Sequence, residues 1–192
     1  MKKSRTFIIT FGGLAVAINI VLGILTSMLK LPIYLDTIGT VVTAVLVGPL
    51  AGAVVGACTN IITGFIYSIQ DIPFLLVNVA VALVAGFIAK KFKFTLISAI
   101  ICGLILSVLC PLIGTPIGIF IYGGLTGTVT DVIVMALKNS GSDIFAASFV
   151  AKVANNLLDK VGTCIIAFVL IQRLPVSLKN TLGGRQNINS TN

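Results

Sequence analysis

The sequence predicts an all-α integral membrane protein. The fold is a six-helix bundle with both termini cytoplasmic and a short extra or re-entrant helix between helices 5 and 6. Three observations lead there. Of the 192 residues, 57% are hydrophobic and 9% charged, against roughly 25% charged in soluble domains. The chain divides into apolar runs, most of them near the roughly 20 residues that a bilayer requires. The 13 Lys and Arg, which set a net charge of +8, stand mostly at the ends of those runs. That placement speaks for membrane topology and against a nucleic-acid partner.

Met1-Lys-Lys-Ser-Arg5 is a basic lead that the positive-inside rule assigns to the cytoplasm. The first span, Thr6 to Leu29, is too long for a signal-peptide core and lacks a cleavage site. Lys30-Leu-Pro-Ile-Tyr-Leu-Asp36 follows on the outside, with Pro32 stopping the helix. The second run, from Thr37 to the Gly48-Pro49 turn, is short for a full span. The third, Leu50 to Tyr67, carries Gly52, Gly56 and Gly64, with Gly52 and Gly56 spaced for internal helix packing. Ser68 to Pro73 is the next outer break, and the fourth run, Phe74 to Ala89, ends in the cytoplasmic cluster Lys90-Lys-Phe-Lys93.

The stretch from Thr95 to Leu137 has the length of two spans, broken by Pro111, Gly114, Pro116 and Gly123-Gly124. Two spans would strand Arg173, Lys179 and Arg185 outside, against the charge rule. One span from Thr95 to Tyr122, then a short or re-entrant helix around Thr130 to Leu137, avoids this. The sixth span starts at Ile144 and returns to Gln172-Arg173. Residues 1–173 thus read as a single transmembrane bundle, and 174–192 as a polar, Asn- and Gly-rich, disordered cytoplasmic tail.

The chemistry concentrates in that sixth span. Lys152, Asn155, Asn156, Asp159, Lys160 and Thr163 recur at spacings of three and four, mostly along one side of a helix. A charge near the centre of a span costs at least about 2.5–3.5 kcal/mol, so such groups pair or face a wet interior. The upper group (Lys152, Asn155, Asn156) lies level with Tyr34, Asp36, Tyr67, Gln70 and Asp71 from the outer connections. With Asn78 and Asp131 they are the candidate lining of an outward-opening pocket for a polar, planar solute. Asp159 and Lys160 lie deeper and read as structural charge compensation. Being adjacent, they point about 100° apart and are not ideal mutual partners. Asn19, Asn60 and Asn78 read as interhelical glue, Asn78 being the best placed to reach a ligand.

Enzyme classes are excluded by what the sequence omits. It has no histidine, no paired-carboxylate motif and no phosphate-binding Gly-rich loop. Its four scattered cysteines read as buried free thiols, so no metal or cofactor is expected. On the first helix Gly13 and Ala17 form a small-xxx-small pair that lets another helix approach closely.

Three motifs in order carry a resemblance: Leu35-Asp-Thr-Ile-Gly39, Gly48-Pro-Leu-Ala-Gly52-Ala-Val-Val-Gly56 and Asn156-Leu-Leu-Asp-Lys160. Over residues 6–173 the chain resembles the S-components of energy-coupling factor (ECF) transporters. The resemblance implies a cell-membrane protein that captures a water-soluble vitamin or related heterocyclic micronutrient, nucleoside-like compounds included. It implies a pocket built by the outer loops and helices 4 to 6. Delivery follows docking on a transmembrane coupling protein carried by two ATPase subunits, the whole S-component toppling in the bilayer. In that family small residues on the first helix dock, which maps onto Gly13 and Ala17, although the family pattern has alanine at both ends. Metal-transporting members use an N-terminal histidine, absent here, and the absent tryptophan weighs against biotin and thiamine. Two other classes compete: a self-contained secondary transporter or channel in which Asp159 and Lys160 relay an ion, and a membrane scaffold protein.

Overall fold

The computed structural model describes residues 5–125 and 130–182, and every regular element among them is helical. In order these are α1 (Arg5–Met28), α2 (Ile38–Leu46), α3 (Pro49–Ile66), a 3₁₀ turn (Ile69–Phe74), α4 (Leu75–Lys91), α5 (Leu96–Tyr122), α6 (Asp131–Asn139), α7 (Ile144–Arg173) and α8 (Val176–Leu182). Local chemistry fixes several ends. Pro49 opens α3 at a position where its missing N–H is no loss. Thr95 and Ser98 form a capping box on α5. Gly123 closes α5 in the left-handed conformation at φ 67°. Asp143 caps α7 by accepting from the backbone N–H of Phe145 and Ala146 at 2.9 and 3.0 Å. Those two bonds favour the ionised form and hold its carboxyl below the ordinary range.

Five of the described helical stretches are long and apolar enough to cross a membrane: α1, α3, the 3₁₀ turn with α4, α5 and α7. Pro111 and Pro116 do not break α5, which runs through both for 27 residues, as packed membrane helices permit. The expected short helix between the last two spans is α6. The expected second span is where the bundle departs from six full-length helices. It yields only α2, nine residues with every side chain buried, about 13.5 Å long against a hydrocarbon core of about 30 Å. Upstream, Pro32 and the positive φ of Leu35 (51°) keep 31–37 out of the helix. This non-helical segment descends along α7 as far as Asp159, near the helix midpoint.

The C-terminal end also differs from expectation. The tail expected from residue 174 forms α8 over Val176–Leu182, and Leu182 is fully buried in the main core with Phe94 and Ile171. Leu174, Leu178 and Leu182 recur every fourth residue, a one-sided apolar stripe hidden within a polar composition. Residues 183–192 of that tail lie outside the described residues.

The core runs through Val41 and Val45 of α2, Val81 and Ala85 of α4, Leu106 of α5 and Cys164 and Ala167 of α7. Small residues set the helix spacings. A Cβ on Gly103 would lie 2.6 Å from Val161 Cα and 2.9 Å from the Lys160 carbonyl oxygen, so α5 and α7 meet almost backbone to backbone. Gly52 is pressed against Ala44, and Gly56 against Asn78, which makes the α3 glycine pair an internal packing device as read from the sequence. On α1 the reverse holds. Gly13 and Ala17 are exposed on the outer face, and a Cβ on Gly13 would meet nothing within 4 Å. Gly103→Val should therefore lower stability by about 1–3 kcal/mol through overpacking, while Gly13→Ala leaves it within about 0.5 kcal/mol. Thermal unfolding of the two variants in detergent checks the contrast.

Candidate functional site

The polar side of α7 begins with a structural duty. The backbone of 31–37 has no helix to satisfy it, and each buried N–H or C=O left unpaired would cost free energy. Asp159 Oδ1 accepts from the N–H of Tyr34 at 2.8 Å and of Leu35 at 2.9 Å. Asn155 Nδ2 donates to the Pro32 carbonyl at 3.1 Å, and Thr26 Oγ1 of α1 to the Tyr34 carbonyl at 2.8 Å. Lys160 neutralises the aspartate: its Nζ lies 2.7 Å from Asp159 Oδ2 and 3.8 Å from Asp36 Oδ1, and it donates to Thr37 Oγ1 at 3.2 Å. Adjacency does not prevent the pairing, because the long lysine side chain folds back to the neighbouring carboxylate. Both residues are buried, so the pair and the segment stand together.

A second network closes the space between α1, α2, α3 and α4. The Gly39 N–H donates to Asn19 Oδ1 at 2.7 Å, and Asn19 Nδ2 donates to Thr40 and Thr59 at 2.9 and 3.1 Å. Thr40 Oγ1 donates to Asn78 Oδ1 at 3.0 Å, and Asn78 Nδ2 to Asn60 Oδ1 at 2.8 Å. The three asparagines read as glue are thus one connected chain.

Between the two networks lies a cavity of about 350 Å³, within the usual size range of small-molecule sites. Seven of the residues expected to line a pocket meet there: Tyr34, Asp36, Tyr67, Asp71, Asn78, Lys152 and Asn156. Tyr67 is more than half exposed, and Asp71 accepts from the Tyr122 hydroxyl at 2.8 Å. Lys152 Nζ reaches the Gly114 carbonyl at 3.5 Å. Asn156 donates its Nδ2 to the Lys152 carbonyl at 2.9 Å, which leaves its carbonyl oxygen for the cavity.

Gln70, Asp131 and Asn155 are not among the lining. Gln70 is exposed on the 3₁₀ turn. Asn155 is engaged with Pro32. Asp131 stands in the first turn of α6.

The lining also includes groups that the sequence reading did not place there. Ile20, Gly23 and Ile24 come from α1, Thr59, Asn60 and Thr63 from α3, Cys110 and Pro111 from α5, and Tyr122 from the end of α5. The cavity therefore extends beyond the outer loops and helices 4 to 6 to the first and third helices. The signal on α3 was present: Asn60, Thr63 and Tyr67 fall at spacings of three and four, hence on one face. Among the described residues no group of His, Cys, Asp or Glu is placed to hold a metal ion.

A model of the family described as "ECF-type riboflavin transporter, S component" matches residues 3–175. No curated protein and no solved structure matches the chain.

Asp159→Ala should destabilise the protein by about 3–5 kcal/mol, because it leaves the buried Lys160 charge to the more distant Asp36, 3.8 Å away, and strands two backbone N–H groups. Adding Lys160→Met should recover part of the loss by removing the charge. Full recovery is not expected, since the N–H groups of Tyr34 and Leu35 stay unpaired. Thermal unfolding of the single and double variants measures both steps.

Proposed function

The chain belongs to the family of S components of ECF-type riboflavin transporters, and from this premise we propose that it captures riboflavin or a closely related flavin in the cavity described above. Membership makes it a multi-pass membrane subunit of a transporter and not an enzyme. The observation that carries the substrate reading is the cavity itself. Its walls combine apolar side chains (Ile20, Ile24, Phe74 and Val77) with amides and hydroxyls. A flavin has the matching parts, a planar ring with a polar edge and a polyhydroxyl tail.

The same reading gives the orientation. Both termini lie in the cytoplasm, and 31–37 with α2 completes a sixth pass, half extended and half helical. Its non-helical half is partly buried and is hydrogen-bonded to α7 through Asp159 and Asn155, the condition under which irregular backbone is tolerated at membrane depth. The cavity opens outwards, past Tyr67 and Asp71. The exposed Gly13 and Ala17 of α1 form the docking face for the coupling protein of an ECF module with its two ATPases.

Proteoliposomes holding this chain and an ECF module should accumulate riboflavin only with ATP inside the compartment of the ATPases. Gly13→Leu should abolish uptake and co-purification with the module while leaving riboflavin binding unchanged. Uptake by the chain alone would refute the assignment in favour of a self-contained transporter.

A further inference from the structure

We infer that Asn60 is a specificity-determining residue of the cavity, a hydrogen-bond donor of fixed orientation that reads an acceptor on the polar edge of the substrate ring. The inference rests on the flavin reading above and adds to it a residue of α3 and a polarity.

The polarity is set at the N–H of Gly39, in the first turn of α2, where backbone donors lack intrahelical partners. An N–H can only donate, so the atom of Asn19 that faces it at 2.7 Å is the oxygen. The Asn19 amide group then points at Thr40, whose hydroxyl, accepting on one side, turns its own hydrogen to Asn78 Oδ1 at 3.0 Å. Asn78 Nδ2 is left to donate to Asn60 Oδ1 at 2.8 Å. Each amide takes its direction from the one before it. What remains for the cavity at the end of the chain is the Nδ2 of Asn60, two N–H groups and no acceptor.

Burial supports this reading. Asn19 and Asn78 are 0% and 3% exposed, whereas Asn60 is only partly buried and lines the cavity. One turn on, Thr63 donates its hydroxyl to the Thr59 and Asn60 carbonyls at 2.9 and 3.2 Å, so it offers the cavity an acceptor. Asn60 is therefore the side-chain donor of this part of α3. Turning its amide over would bring two N–H groups, its own and that of Asn78, face to face. A ring carbonyl or ring nitrogen is received there, and a ring N–H is rejected.

Asn60→Asp is the sharpest test, because it is isosteric and keeps the acceptor for Asn78 while replacing the cavity-facing donor by an oxygen. Riboflavin titration of the purified chain should show a Kd raised about tenfold or more, with the ligand-free melting temperature close to that of the parent. Asn60→Ala, which removes the donor without adding charge, should also weaken binding and decides the matter if the aspartate variant does not fold. Affinity within twofold of the parent in a folded variant overturns the inference, as does a loss of affinity matched by collapse of ligand-free stability in both. Failure of the parent chain itself to bind riboflavin overturns the flavin reading, and this inference with it.

Discussion

One carboxylate, that of Asp159, holds two backbone N–H groups of a segment that cannot be helical. Much of the architecture follows from that contact. In a hydrocarbon environment backbone that is neither helix nor closed barrel must be satisfied by protein. The bundle does this with Asp159 for Tyr34 and Leu35, Asn155 for Pro32 and Thr26 for the Tyr34 carbonyl. Lys160 answers the charge that the arrangement introduces. The polar stripe of α7 and the shortness of α2 are thus two parts of one solution. A residue type that insertion energetics disfavours is retained because the backbone opposite requires it.

The same arrangement makes room for a ligand. Residues 31–37, pinned to mid-height on α7, contribute Tyr34, Asp36 and Thr37 to the cavity wall. Deeper in the bundle, Gly103 lets α5 and α7 close on each other. Nearer the cavity, Gly114 of α5 stands opposite Lys152 and Asn156 of α7 as part of the lining. The amide chain from Asn19 to Asn60 closes the side towards α1 and α3. Rigid polar networks on both flanks leave a pre-formed site whose donors and acceptors already point in set directions, which reduces the ordering required on binding.

Much of this was legible in the sequence, for reasons that can be named. Long apolar runs ended by Gly-Pro, Lys clusters and capping residues placed α1, α3, α4, α5 and α7 nearly residue for residue, and the charge rule found α6. The period of the α7 stripe exposed its one polar face. Four things escaped. The pairing of Asp159 with Lys160 depends on side-chain reach, which helical angles alone do not describe. The bonds from Asp159 and Asn155 to backbone more than a hundred positions away leave no mark in composition. The role of α3 was masked because Asn60 shares its face with glycine packing, and single amides in apolar helices most often serve as glue. The C-terminal helix was hidden by its polar surroundings, its two leucines and the Leu174 before it being too few to dominate a composition window.

Asp159 and Lys160 are now occupied by a structural task, which removes the feature that favoured an ion-relay transporter over a subunit that only binds. The central claim is that this chain alone, without coupling protein, ATPases or nucleotide, carries the complete substrate site. Quenching of riboflavin fluorescence by the purified chain in detergent tests it most directly. The account predicts saturable quenching with one flavin per chain, unchanged by adding the ECF module. Absence of binding, or binding that arises only once the module is present, would contradict it.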